Sequence, residues 1–156
     1  MKNPINLQER FPDMLSGKQL SLSIAKGWES LFEKLCIDID AQLGSDKRGF
    51  HWVQLKEKFG SARFYWEMQG EPQALRIDEI DKLGAVKTLL ARDVKDESNP
   101  TLQEQISALV DAAADKTPRM CIACGQPGRG HADRGWLLIL CEEHIKQREA
   151  GIDPVF

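Results

Sequence analysis

Cys121-Ile122-Ala123-Cys124-Gly125 and, with sixteen residues between Cys124 and Cys141, Cys141-Glu142-Glu143-His144 decide how the last quarter of this chain must fold. Two cysteines two residues apart form a knuckle, a tight turn that aims both sulfurs inward and favours the glycine that follows. The second pair predicts the first turn of a helix over about 141–150, where side chains three apart share a face and reach one ion. Three thiolates and one imidazole suit a single tetrahedral, structural zinc. A loose set of reduced thiols and a redox Cys-x-x-Cys are the alternatives, and the downstream Cys-x-x-His argues against both. Between the pairs, Trp136-Leu137-Leu138-Ile139-Leu140 reads as an apolar strand leading into the second ligand pair. Knuckle, hairpin and ligand-bearing helix, in that order, are the layout of a treble-clef zinc finger. A segment of about forty residues builds little core, so the metal is expected to supply much of its stability.

His131 competes for the fourth ligand position. It lies in the glycine-rich stretch Gly125–His131 with no fixed relation to Cys141, so His144 is preferred. A catalytic zinc keeps three protein ligands and an open position; four candidates at finger spacing predict a closed site and no catalytic residue. The deaminase signature is missing, since no His-x-Glu precedes the knuckle and no proline stands directly before Cys121. A His-Asn-His nuclease would need a second metal. Once the four ligands are used, only His131 and Asp133 remain nearby to hold it.

Upstream, Trp28, Leu31, Phe32, Leu35, Ile39 and Leu43 recur at helical spacing and predict a helix over 27–43, stopped by Gly44. Cys36 sits beside that stripe and reads as a small buried hydrophobe. Two aromatic, β-prone runs, Phe50–Leu55 and Ala62–Glu67, predict a hairpin over about 50–67, with Lys56–Ser61 as its linker. Ala62, Phe64 and Trp66 alternate against Arg63, Tyr65 and Glu67, so the first three should face the helix. His51 is read as structural. Ile77, Ile80, Leu83, Leu90 and Val94 predict a helix over 76–94, broken at Gly84. Asn99 and Pro100 suit the start of another over 100–115, burying Leu102, Ile106, Leu109, Val110 and Ala113. Residues 1–16 read as an irregular arm or short helix. The expected class is α+β: a helix-and-hairpin body over 1–117 with the finger, 118–156, packed on it.

The chain has 156 residues, 42% hydrophobic and 29% charged, with a formal net charge of −3. Disorder throughout is excluded by that apolar content. With no long apolar run and no signal-like start, a cytoplasmic protein without a membrane partner is expected. The finger carries only a slight cationic excess, less than a DNA reader needs. Arg129, His131 and Arg134 nevertheless mark a candidate partner-binding loop. Residues 67–104 hold nine acids against five cations, and Asp78, Glu79 and Asp81 are the candidates there for steering a basic partner.

Gly27-Trp28, then Val53-Gln54-Leu55-Lys56-Glu57-Lys58-Phe59-Gly60-Ser61-Ala62-Arg63-Phe64-Tyr65, the Cys121–Gly128 knuckle and Gly135-Trp136 through His144 together resemble a group of small bacterial and phage proteins. In that group a KEKFG-x-LRFY hairpin precedes a zinc finger ending GW-x4-C-x2-H. Ala62 stands where the group's pattern has leucine, and residues 69–98 have no counterpart. The resemblance implies fold and zinc, and its phage and mobile-element settings imply accessory roles. The functional expectation is a non-catalytic protein-interaction module, such as an inhibitor or immunity protein against a basic toxin domain. A nucleic-acid-binding accessory factor using the finger is the alternative, and a metal-dependent nuclease the third reading.

Overall fold

The computed structural model describes residues 7–16, 21–68, 77–80, 86–89 and 101–154, with backbone alone for 21–22, 77–80 and 86–89. The chain is α+β. A short helical turn, α1 (Leu7–Arg10), opens the arm, and β1 (Ser21–Leu22) follows. Phe11, Met14 and Leu15 are buried, and the Met14 carbonyl accepts from the Trp52 N–H at 2.8 Å. The arm is thereby clipped to the sheet.

Helix α2 spans Glu29–Leu43 and buries Phe32, Leu35, Cys36, Ile39 and Leu43. The predicted start at Gly27 is corrected: Lys26–Trp28 form a 3-10 turn in front of the helix. Gly27 donates from its backbone N–H to the carbonyl of Ile122 at 2.8 Å, a tie that holds the turn outside the α-helical ladder. Trp28 is still 1% exposed, on the same side as the helix stripe.

The hairpin consists of β2 (His51–Lys58) and β3 (Ser61–Glu67), with β1 parallel to β2 on the other edge. Lys56–Lys58, expected as linker, continue the strand, with Lys56 and Lys58 on the wet face of a sheet covered on one side. The connection is only Phe59-Gly60. Leu55 and Phe64 are cross-strand partners on the buried face, as are Trp52 and Trp66. Strict alternation would put Trp52 and Leu55 on opposite faces. A register shift between Trp52 and Gln54 absorbs Val53 as a bulge and returns both to the core. Ala62 and Phe64 are buried and Trp66 partly so, while Arg63, Tyr65 and Glu67 are exposed.

The core between α2 and the sheet is aromatic. Phe32 lies 5.2 Å from Trp52 and 5.8 Å from Phe64, and Phe50 lies 5.2 Å from Trp52, ring centre to ring centre. His51 is tied locally, its Nδ1 2.9 Å from the Gly49 carbonyl and its Nε2 3.5 Å from Glu67.

The predicted helix over 76–94 is corrected at its described residues, 77–80 and 86–89, which are strands; 76, 81–85 and 90–94 lie outside the described residues. β4 (Ile77–Ile80) and β5 (Val86–Leu89) pair antiparallel, Ile77 with Leu89 and Ile80 with Val86. Ile77, Ile80 and Val86 are β-branched, which favours a strand over a helix.

Helix α3 (Leu102–Ala114) begins two residues later than expected. Thr101 caps it, accepting from the Glu104 N–H while the Glu104 carboxylate accepts from the Thr101 N–H. Asn99 and Pro100 lie outside the described residues. Ile106, Val110 and Ala113 are buried, with Leu102 and Leu109 half-buried, and α3 packs on α2 and on β3. The C-terminal segment, expected as the finger, follows with β6 (Arg129–Asp133), β7 (Trp136–Leu140) and α4 (Glu142–Glu149). A single cluster of buried side chains runs from Phe11 through both segments to Ile145. Among the described residues no helix is long and apolar enough to cross a membrane.

Candidate metal centre

The polypeptide approaches the centre through a 3-10 turn at Thr117–Arg119. Thr117 is fully buried, and its Oγ1 accepts from the Ala62 N–H at 2.9 Å while donating to the Ala114 carbonyl at 2.7 Å. One hydroxyl thus joins β3, the end of α3 and the entry to the finger. Nothing in its sequence setting, Lys-Thr-Pro, distinguishes it from an ordinary helix end.

The knuckle closes on its own backbone. The Gly125 N–H donates to the Cys121 carbonyl at 2.8 Å, and the Cys121 N–H donates to Gln126 at 2.7 Å. Gly125 has φ of 78°, a conformation glycine adopts without steric cost. Ile122 donates to the Ile139 carbonyl at 2.8 Å, which fixes the knuckle to β7. Strand β7 buries Leu138, Ile139 and Leu140 and delivers Cys141 to the N-cap of α4. His144 follows one turn later on the same face, as the i, i+3 spacing requires.

These elements bring Cys121, Cys124, Cys141 and His144 together, with all four ligand atoms within 4.8 Å of one another. Cys124 Sγ lies 3.8 Å from Cys141 Sγ, and His144 Nδ1 lies 3.4 Å from Cys121 Sγ and 3.0 Å from Cys141 Sγ. A tetrahedral zinc site with Zn–S near 2.3 Å and Zn–N near 2.0–2.1 Å has S···S edges of about 3.8 Å and S···N edges of about 3.5 Å. The donor set is close enough to hold a metal ion, and its chemistry is consistent with a zinc site.

The surroundings divide the thiols. Burial of Cys121 opposes its ionisation, but backbone N–H groups of Cys141, Ala123 and Cys124 outweigh that and hold its pKa below the ordinary thiol value. Burial and the neighbouring sulfurs of Cys121 and Cys141 push Cys124 up to about 11. Three thiolates at these distances would repel one another, and a bound cation would relieve that repulsion.

His131 is not among the clustered donors. It sits on β6 opposite Leu138, half-buried. Arg129 pairs with Glu142 at 3.4 Å, and Arg134, 91% exposed, stands in the β6–β7 turn 3.9 Å from Asp133. Asp133 also accepts from Arg148 at 2.8 Å, a contact that locks α4 to β6. The candidate partner-binding residues Asp78 and Glu79 lie on β4, their side chains outside the described set, and Asp81 lies outside it altogether.

Two glycines, Gly27 and Gly125, complete the centre by their close approach to each other's segment. A Cβ on Gly27 would lie 2.1 Å from the Cys121 carbonyl oxygen, and one on Gly125 would lie 2.6 Å from the Gly27 oxygen. The body therefore touches the knuckle backbone to backbone. The Gly27-Trp28 dipeptide was the available signal, though it also reads as a helix start. No family model, curated protein or solved structure matches this chain.

Proposed function

We propose that the chain is a non-catalytic binding protein whose Cys121, Cys124, Cys141 and His144 hold one structural zinc in a treble-clef-like finger. The observation that carries this reading is the donor set: Cys121, Cys124, Cys141 and His144 bring four ligand atoms within 4.8 Å of one another, and four protein ligands on a tetrahedral ion would leave no position for substrate. The zinc would cross-link the knuckle to the start of α4, and through Gly27 and Thr117 brace the finger against the body. Binding free energy of the metal would then be folding free energy for residues 118–150.

Such a protein acts by holding another macromolecule. A basic protein domain, including a toxin to be neutralised, is the partner that the acidic stretch 67–104 would suit, since surface charge of one sign steers a partner of the other. The test of the reading is metal content. Elemental analysis of protein purified without chelator should give one zinc per chain. Cys124→Ser should abolish binding and loosen 118–150 in hydrogen exchange, while His131→Ala should leave the stoichiometry unchanged. Absence of zinc from folded protein would overturn the reading, and loss of metal in His131→Ala would replace His144 as fourth ligand.

A further inference from the structure

The outer face of the β2–β3 hairpin breaks two local rules at one end. Lys56 and Arg63 are direct cross-strand partners, and like charges so placed destabilise the sheet that carries them. Lys58 stands two residues along on the same face. None of the three cations is paired with a carboxylate among the described residues. Glu57, the one acid between Gln54 and Tyr65, is turned away: it lies opposite Ala62 on the other face, and its Oε1 accepts from the Gly60 N–H at 2.6 Å.

The second breach is the turn. Phe59 and Gly60 have φ of 52° and 77°, the mirror-image two-residue turn that normally takes Asn-Gly or Gly-Gly. A bulky side chain in that first position is strained, and here it is also 75% exposed. Tyr65, 44% exposed, adds a second ring to the face. Lys58 Nζ lies 5.6 Å from the Phe59 ring centre and Lys56 Nζ lies 5.2 Å from that of Tyr65. Each ring has an ammonium group beside it, the combination that lets a base stack while its phosphate is neutralised. Costs to folding concentrated on one surface mark that surface as serving something other than the fold.

We infer that this face, Lys56, Lys58, Phe59, Arg63 and Tyr65, docks single-stranded nucleic acid through ring stacking and phosphate contacts. The inference rests on the reading of the chain as a binding protein and adds a second partner, of opposite charge to the basic domain that the acidic stretch would suit. A single strand is required because stacking needs bases splayed out of a duplex.

The test is fluorescence anisotropy of the zinc-loaded full chain with a labelled twelve-nucleotide oligothymidylate and with a duplex of equal length. Three phosphate contacts to a single strand predict a log–log salt slope of about −2, an affinity loss of roughly 20-fold between 50 and 200 mM salt. Phe59→Ala and Tyr65→Ala should each weaken binding by about 5- to 150-fold. Lys56→Glu and Arg63→Glu should abolish it, whereas Arg63→Lys should retain most of it and Arg134→Ala should leave it unchanged. Zinc content and a thermal melt of each variant, read on the same samples, separate loss of the surface from loss of the fold. Zinc-loaded, folded protein that ignores the oligonucleotide at 50 mM salt overturns the inference and leaves the metal reading standing. Equal affinity for duplex, insensitivity to both ring truncations, or self-association through this face likewise overturns it.

Discussion

Gly27 and Ile122 share a 2.8 Å backbone hydrogen bond across the joint between body and finger, the Gly27 N–H donating to the Ile122 carbonyl. The approach leaves no room for a side chain, since a Cβ on Gly27 would meet Gly125 N at 2.7 Å as well as the Cys121 oxygen. Gly27→Ala should therefore push the knuckle away from the body. A cost of about 1–3 kcal/mol, the usual range for forcing extra volume into a packed site, is expected. Faster loss of metal to a competing chelator should accompany it, and unchanged melting and metal retention would show that the joint yields freely.

Thr117 makes the second joint. Thr117→Val keeps the shape but leaves the Ala62 N–H without its acceptor in a buried position, a loss of about 1–3 kcal/mol. Denaturant titration measures it. Thr117→Ser, which retains the hydroxyl, should recover most of the difference.

Phe64 stacks on Phe32 at 5.8 Å and lies 6.1 Å from Trp52. Truncation to alanine removes one ring from the centre of the aromatic core and should cost about 3–5 kcal/mol. Retention of the wild-type melting temperature would mean that this face of the hairpin is not core.

Cys36 is fully buried, and that burial pushes its thiol from 9.0 up to about 12. The native state therefore keeps a proton that the unfolded chain releases above pH 9. Stability contributed by the neutral thiol is complete below pH 9 and falls as the pH rises from about 9 to about 12. Cys36→Ala should lose less stability than wild type over that window. Native protein should also leave Cys36 unalkylated at pH 8, while the unfolded chain reacts. Equal alkylation of native and unfolded protein would show an accessible thiol.

Much of the finger is legible without coordinates. Ligand spacing is a local property: two residues between cysteines fit a turn, three along a helix fit one face, and both survive any tertiary context. Helix α2 is legible for the same reason, because a stripe of Phe32, Leu35, Ile39 and Leu43 can be buried only by a helix. Reading by periodicity failed over 76–94, where the apolar residues are sparse enough to fit a helical stripe or two short strands; pairing of Ile77 with Leu89 chose the strands.

What the sequence by itself determined is the inventory: four candidate metal ligands at workable spacing, an α2 stripe, an alternating β3 and an α+β class. Tertiary structure alone decided the rest. The bulge at Val53 depends on where Trp66 sits across the sheet, the role of Gly27 on a knuckle nearly a hundred residues away, and that of Thr117 on the position of Ala62. The physical reason is range: turns and helix faces are set by neighbours along the chain, whereas close approach, register and shared hydrogen bonds are set by partners that only folding brings together.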